Sequence, residues 1–536
     1  MKKSFNKRPV AYVLLSLFVL TLLYVPACDI TDPTEGIKVI LNTKERTSTV
    51  SMVFRDAHTN EPVGFNGETT VHVTVNGPDS DKVIDLLNRE KTSFQAAKGF
   101  LSFALLDEVV PDEQNPLQIT VVARADGYIT TSVPITINQE KATPVDVIMV
   151  NASNPPKGVT GNVNESIGEA DNQGNTASDI YFETDSDQTT NSRASFRIRE
   201  NSRITTADGQ PLRGELRSSY HLFNSRDSES LQSFPGGFSV QVEDAPNGSD
   251  RVFFTTGGFT SVEISDENGN RARNFDPPIE VSIELDSEVR DHQNQEVQAG
   301  NTVPIWSYDD ETGTWTFEGD AEVVQGDNGN LEVNFEASHL SWWNIDWFGD
   351  ACYEGVRVNL IGNNSQLRGR LLRADNGAFL GWAASRQLPG VPNFIQFLWA
   401  PRDVPGILEL YDMNENLVTT VDLPQLCSEV PVDVTLGTTS EITVTFRGRG
   451  VCDGSDVEVR PSFPAYYRPA SGGQWVSAGT VSEGEISITL PSQGNYFFGA
   501  YYEDDWYDYL LDLTTAEDGQ LYEEIIDLPD HICDDL

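Results

Sequence analysis

The stretch TTVHVTV at residues 69–75 places an apolar side chain at every second position, and LQITVV at residues 117–122 follows the same pattern. Successive side chains of a β-strand point to opposite faces, so this period of two indicates strands with one buried face. Similar segments recur through the chain between turn-forming residues, for example IEVSIEL at 279–285, GILELY at 406–411 and EITVTF at 441–446. The pattern predicts an all-β fold of tandem β-sandwich modules.

The chain of 536 residues is too long for one hydrophobic core. A polar break at residues 151–157, NASNPPK, contains two prolines that cannot continue a strand ladder. The predicted order is a signal peptide, a tether and four modules, at residues 1–28, 29–36, 37–150, 158–350, 351–436 and 437–536.

The composition is strongly acidic, with 82 Asp and Glu against 36 Lys and Arg and a formal net charge of −46. Such a chain repels phosphates and anionic headgroups, which excludes nucleic acid and the lipid surface as partners of the folded part. Lysine is absent after Lys157, where all basic residues other than histidine are arginine. Saline surroundings and GC-rich coding both fit this usage.

The N-terminus carries the most specific signal. Basic residues at positions 2, 3, 7 and 8 precede a mostly apolar run at 10–25, and Ala27-Cys28 follows. A basic start, a short apolar run and a small residue before cysteine form a pattern that resembles the bacterial lipobox. We therefore expect a lipoprotein with palmitate-type acylation at Cys28, in the cell envelope and at the outer membrane. The periplasmic and surface faces both remain open.

A single membrane-spanning anchor and a soluble secreted form are the alternatives. Sixteen apolar residues make a helix of only about 24 Å, shorter than the roughly 30 Å hydrocarbon core of a bilayer. This length favours the lipoprotein.

Four cysteines remain after Cys28, and four cysteines allow three pairings. They lie near the two ends of the last two predicted modules. We therefore predict the disulfides Cys352–Cys427 and Cys452–Cys533.

Two segments resemble a known family. VPIWSYDDETGTW at 303–315 and SHLSWWNID at 338–346 are similar to a region shared by cartilage intermediate layer proteins, the astroprincin family and many bacterial lipoproteins. The resemblance covers about residues 155–350. It implies an extracellular β-rich module without known catalysis, and it carries over no catalytic or binding residue. Residues 37–150 resemble the carboxypeptidase regulatory-like module, a non-catalytic transthyretin-like sandwich.

Motifs of catalysis are missing from the sequence. It has six histidines but no His-x-x-x-His pair, no Gly-x-Ser-x-Gly elbow and no phosphate-binding loop. We expect no catalytic residue, no metal site and no cofactor. His339 is interpreted as a semi-buried structural residue and residues 266–270 as a hairpin turn. Residues 309–311 (DDE) are interpreted as an exposed turn, with Ca²⁺ binding as the alternative.

Five aromatic residues near the C-terminus are the candidate ligand-binding site: Tyr501, Tyr502, Trp506, Tyr507 and Tyr509. Adjacent aromatics in a strand cannot all face one core, so some are expected to be exposed. Exposed rings beside carboxylates can bind sugars. An ordinary core strand with edge aromatics is the alternative.

We expect a lipid-anchored envelope protein with a non-catalytic binding, adhesion or structural role, and a glycan or another envelope protein as partner. A glycan-binding accessory lipoprotein of polysaccharide utilisation and an enzyme of unrecognised class are the alternatives.

Replacing Cys28 with Ser removes the acceptor thiol, so the protein should leave the membrane fraction or remain an uncut precursor. Fractionation and intact-mass measurement of the wild type and of Cys28→Ser test this, with Ser48→Ala as a control that leaves the leader unchanged. Mature, membrane-bound protein in Cys28→Ser would contradict lipidation at this residue.

Overall fold

The computed structural model describes residues 39–42, 46–67, 69–112, 114–140, 142–326, 328–362, 366–386, 391–402, 404–412, 415–436, 441–452, 457–490, 493–502 and 505–527. The regular secondary structure of this described part is nearly all β-strand, in several sheets, as the period-two alternation predicts. Its helical elements are a 3-10 turn at Ser80–Lys82 and one short helix, α1, at Ser228–Leu231. No helix within these ranges is long and apolar enough to cross a membrane.

Module 1 spans residues 46–150. Its strands are β2 (Thr49–Asp56), β3 (Val71–Asn76), β4 (Val83–Ile84), β5 (Ser93–Ala96), β6 (Phe100–Leu105), β7 (Leu117–Arg124), β8 (Thr131–Ile137) and β9 (Ala142–Met149). They form two four-stranded sheets, ordered β4-β6-β2-β9 and β5-β3-β7-β8. The alternating valines of β3 are buried while His72 between them is exposed. Strands β2 and β9 pair in parallel, which joins the start of the module to its end.

Module 2 spans residues 158–352. Its strands are β10 (Val159–Ala170), β11 (Ile180–Glu183), β12 (Ala194–Ile198), β13 (Arg203–Thr205), β14 (Gly214–Phe223), β15 (Ser239–Glu243), β16 (Arg251–Ser265), β17 (Asn274–Glu284), β18 (Thr302–Asp309), β19 (Thr314–Gln325), β20 (Leu331–His339) and β21 (Trp342–Cys352). They form one continuous ladder, with the main path β10-β14-β16-β21-β18-β19-β20-β17-β12-β11. The long strand β19 pairs with β18 along its first part and with β20 along its last part. The sheet therefore folds over at β19, and side chains of both halves meet in one hydrophobic core.

Module 3 spans residues 356–435. Its strands are β22 (Val356–Ile361), β23 (Arg368–Arg373), β24 (Phe379–Ala384), β25 (Asn393–Phe397), β26 (Ala400–Pro401), β27 (Gly406–Tyr411), β28 (Leu417–Leu423) and β29 (Val432–Thr435). The sheets β25-β22-β29 and β24-β23-β27-β28 enclose a small leucine-rich core. Strand β26 belongs to neither of these sheets. It pairs with the end of β21 in module 2, so a short β-ladder connects modules 2 and 3.

Module 4 contains β30 (Ile442–Val451), β31 (Val457–Arg460), β32 (Phe463–Pro469), β33 (Val476–Val481), β34 (Glu485–Leu490), β35 (Asn495–Tyr502), β36 (Asp505–Asp512) and β37 (Gln520–Asp527). One sheet is β33-β32-β35-β36, and β30, β31, β34 and β37 form the other. The first described strand, β1 (Val39–Asn42), joins this second sheet by parallel pairing with β31. The predicted first module, residues 37–150, includes these four residues, whereas the structure places them in the sheet of the last module.

The outer face of module 2 is an aromatic junction. Trp306, Trp315 and Trp342 are buried there with several phenylalanines, on the side of the sheet opposite the core. Ile129 of module 1 and Phe379 of module 3 pack into the same cluster. One face of one sheet therefore holds three modules together.

A second aromatic contact joins module 4 to module 1. The ring of Trp506 stacks on Phe100, with centroids 3.7 Å apart and planes inclined by 14°. Arg55, buried beside them, donates from Nη2 to the Trp475 carbonyl oxygen at 2.5 Å and from Nε to Asp146 at 2.8 Å. Because Asp146 is substantially exposed, its ion pair contributes about 1 kcal/mol or less, whereas truncating a buried Trp or Phe costs about 3–5 kcal/mol. Aromatic burial therefore dominates this contact.

A disulfide joins Cys352 to Cys427, as predicted, with Cα atoms 6.0 Å apart. It connects the end of β21 to the segment after β28, across 75 residues of sequence. Cys452 also takes part in a disulfide. Its predicted partner Cys533 lies outside the described residues, so the pairing Cys452–Cys533 stays a prediction.

Replacing Cys352 and Cys427 together with Ala should lower the free energy of unfolding by up to about 4 kcal/mol, because a closed loop of this length restricts the unfolded chain. Denaturant unfolding of residues 29–536 measures the change. The double variant Ser287→Ala/Thr420→Ala, at two exposed hydroxyls, serves as a control. A Cys variant that unfolds at the wild-type denaturant concentration would contradict the stabilising role.

Candidate functional site

Two of the five predicted platform aromatics are buried between modules. Tyr501 and Trp506 pair across the β35–β36 hairpin, and their exposed fractions are 3% and 8%. The Tyr501 hydroxyl donates to the Gln95 carbonyl oxygen of module 1 at 3.3 Å, and Trp506 stacks on Phe100. The prediction of exposed binding residues is wrong for these two, because module 1 covers this face of the hairpin.

Tyr507 and Tyr509 are exposed, at 51% and 54%. They lie two residues apart on β36, the last strand of its sheet, so their rings share one face of the strand. The exposed carboxylate of Asp505 falls on that face by the same alternation. Ring faces can stack on sugar C–H groups and a carboxylate can accept hydroxyl protons, so these three residues retain the chemistry of a small sugar platform. The side chain of Tyr502 lies outside the described part.

His339 lies beside a carboxylate and an aromatic ring. Its Nε2 is 3.8 Å from Glu318 Oε1, and its ring centroid is 5.1 Å from that of Trp343. Burial lowers the pKa of His339, while Glu318 opposes the shift. The hydroxyl of Ser307 donates to Glu318 at 2.6 Å. Serine and histidine therefore both contact the carboxylate, which is a different arrangement from a serine activated by histidine.

The carboxylates of the two acidic turns form hydrogen bonds and an ion pair within the protein. Asp266 Oδ1 accepts the backbone N–H groups of Asn268 and Asn270, both at 2.9 Å, as expected for a hairpin turn. Asp309 accepts the Glu311 N–H at 2.8 Å, and Glu311 pairs with Arg124 of module 1 at 2.5 Å. The turn at 309–311 is therefore part of the contact between modules 1 and 2.

Ligand-type atoms of three His, Cys, Asp or Glu residues converge at one place in the described part of the chain, at Cys352, Glu354 and Cys427. The two cysteine sulfurs there are already bonded to each other. The group is thus explained by the disulfide.

A buried polar pair lies in the aromatic junction. Asn344 and Asp346 of β21 are both fully buried, on the strand face that also carries Trp342. Thr256 donates to Asn344 Oδ1 at 2.9 Å, and the Asp346 carboxyl oxygens have no hydrogen-bond partner among the described residues. Burial raises the pKa of Asp346 well above its ordinary value, because a buried carboxylate lacks the solvation that stabilises its charge. The sequence carries a signal for this pair, because polar residues alternate with Trp343, Ile345 and Trp347 in a strand that is aromatic on both faces.

The family described as FAM171A1/A2/B, N-terminal, matches residues 214–346. This is 133 of 536 residues, about a quarter of the chain. It contains the Trp-Ser-Tyr-Asp and Trp-Trp-Asn segments of β18 and β21. The match supports the resemblance to the astroprincin family module in this part of the chain.

No curated protein shows significant similarity to the chain. Among solved structures, GBS52, the minor pilin of Streptococcus agalactiae, is 12% identical, with 31% of this chain and 83% of the pilin covered and a TM-score of 0.15. The Bacillus anthracis TIE protein is 9% identical, with 70% and 76% covered and a TM-score of 0.14. A streptococcal ancillary pilin is 10% identical, with 44% and 94% covered and a TM-score of 0.12. Similarities at this level carry no argument about the role of the chain.

Replacing Asp346 with Asn should stabilise the protein at neutral and alkaline pH. A carboxyl whose folded pKa is raised costs nothing below the ordinary pKa of Asp, and its cost grows as pH rises toward the folded pKa. We expect a gain of about 1–3 kcal/mol at pH 8 and nearly none at pH 4.

Denaturant unfolding at both pH values measures the effect, with the exposed Asp320→Asn as the matched control. Equal shifts for both variants, or a loss of stability at pH 8, would contradict a raised pKa of the buried Asp346.

Proposed function

We propose that the protein is a lipid-anchored component of the bacterial cell envelope with a non-catalytic role in binding or holding another envelope component. The observation that carries the proposal is the closure of the chain on itself. Module 4 packs on module 1 through Trp506 and Phe100, and strand β1 pairs with β31 of module 4. These contacts between the two ends of the chain favour a rigid platform of four modules over a flexible row of independent modules.

The same closure relates the platform to the membrane. Ten residues, or eleven Cα–Cα steps, separate the expected lipid on Cys28 from Val39, the start of β1. An extended chain reaches at most about 3.3–3.6 Å per residue, so a lipid on Cys28 would keep this edge of module 4 within about 40 Å of the bilayer. Two or more acyl chains on one cysteine anchor a protein stably. The acidic surface opposes direct adhesion to anionic headgroups, which leaves the lipid as the means of attachment.

Glycan binding is the more specific form of this proposal. Tyr507 and Tyr509 present two exposed rings on one face of an edge strand, with a carboxylate beside them. In a strongly acidic protein, a neutral or cationic glycan fits this face better than an anionic one.

A glycan and matrix-protein array probed with residues 29–536 tests the proposal. The double variant Tyr507→Ala/Tyr509→Ala should lose glycan signals by about tenfold or more, because stacked aromatics often dominate such contacts. Tyr181→Ala, at a tyrosine exposed by 61% on β11, is the matched control. Glycan signals that survive the double variant would exclude the tyrosine face, and an array without any signal would leave a purely structural role.

A further inference from the structure

A cleft of about 200 Å³ lies between modules 2 and 3, where the ends of β16 and β21 meet the segment around β26. Phe253 of β16 and Val404 after β26 contribute apolar surface. His292, Asp350, Arg373 and Arg402 contribute the charged and polar groups. Module boundaries are common positions for binding sites, and an apolar floor with a few polar groups is their usual composition.

The walls of the cleft are fixed on both sides. Arg402 donates its backbone N–H to the Asp350 carbonyl oxygen at 3.1 Å, next to the β21–β26 ladder. The disulfide at Cys352 holds the same strand end to module 3. The site therefore exists before any ligand arrives, which lowers the entropy lost on binding.

Arg373 fixes the opposite wall. Its Nε and Nη2 donate to the two carboxylate oxygens of Asp375 at 2.9 and 2.7 Å, and its Nη1 donates to the His292 carbonyl oxygen at 3.2 Å. A guanidinium has five N–H groups, so two remain for a ligand. The hydrogen bonds from Arg373 hold the pKa of Asp375 below its ordinary value. Arg373 thus attaches the loop between β17 and β18 to module 3.

Two guanidinium groups in the cleft can form further hydrogen bonds or ion pairs. Within the described ranges, no carboxylate pairs with the exposed guanidinium of Arg402, although acids outnumber bases more than twofold in this chain. Arg373 has two N–H groups beyond its three hydrogen bonds. A guanidinium that no described carboxylate pairs, beside a second one with donors left over, points to a ligand with an anionic group.

The remaining features narrow the ligand class. Guanidinium groups bind carboxylates through paired hydrogen bonds. Asp350 can accept hydroxyl protons, and the apolar floor can contact C–H groups. The volume is below the roughly 300–1,000 Å³ of pockets for larger ligands, so one sugar-sized unit fits. We propose that this cleft binds a hexuronate, with its carboxylate at Arg402 and its hydroxyls toward Asp350. This site is separate from the tyrosine face and requires neither that face nor the lipid anchor.

Calorimetric titration of residues 29–536 in 0.15 M NaCl tests the proposal, since a Debye length of about 8 Å screens the distant acidic surface. The probes are sodium glucuronate and galacturonate, with glucose, sodium acetate and sodium glutamate for comparison. We expect at least one hexuronate to bind at least about tenfold more tightly than each of the three comparison compounds.

Equal binding of acetate would reduce the site to a plain anion site, and equal binding of glucose would remove the role of Arg402. Tighter binding of glutamate would replace the sugar with an amino acid. Each of these results, or no binding of either hexuronate, overturns the proposal.

Two variants test the location. Arg402→Gln removes the unpaired charge at an exposed position, and Gly349→Leu fills the cleft, because a Cβ at Gly349 would lie 3.9 Å from the His292 ring. Each should weaken hexuronate binding about tenfold or more, while Arg203→Gln, exposed on β13, should not. Melting curves of each variant verify that it is folded. Unchanged binding in folded Arg402→Gln would place the ligand elsewhere and refute the site.

Discussion

The arrangement of the whole chain depends on a sheet that is buried on both faces. In β21, Trp343, Ile345 and Trp347 enter the core of module 2, while Trp342 enters the aromatic junction with modules 1 and 3. A strand at the surface of a sandwich has a solvated face, whereas residues 342–347 of this strand are buried on both faces. The burial of large aromatics on the second face makes the family-like module the centre to which its neighbours attach.

The central position of β21 explains why aromatic residues dominate both of its faces and why its two buried polar residues are tolerated. Aromatic residues fill both faces because each face packs against apolar surface. Asn344 and Asp346 interrupt that pattern. The aromatic packing around them offsets the unfavourable free energy of burying their polar groups. Buried polar groups of this kind weaken a core, so the junction holds despite them through the area of its rings. The charges of the chain contribute less, because most of its carboxylates are distributed over solvated faces.

Much of the architecture could be predicted from local sequence, and the associations between modules could not. The alternation in β3 and β7 predicts strands because burial of one face imposes a period of two. The spacing of Cys352 and Cys427 predicts their bridge because both lie at module ends. The pairing of β1 with β31, by contrast, joins residues more than 400 positions apart, and four residues contain no information about a partner so distant. The burial of Trp506 could not be predicted for the same reason, because it depends on a contact that is distant in sequence. Alternation places Trp506 and Tyr507 on opposite faces, but only the position of Phe100 in another module decides which face is covered.

The pairing of β1 has a mechanical consequence. A pull on the chain N-terminal to Val39 acts first on four residue pairs at the edge of a sheet, whereas the module behind them is held by many strands and a packed core. Strand β1 would detach before module 4 unfolds. Its release frees the four residues of β1 from the sheet while the strands behind them stay paired. The short pairing of β1 therefore sets the force at which the N-terminal end of the described chain is first released.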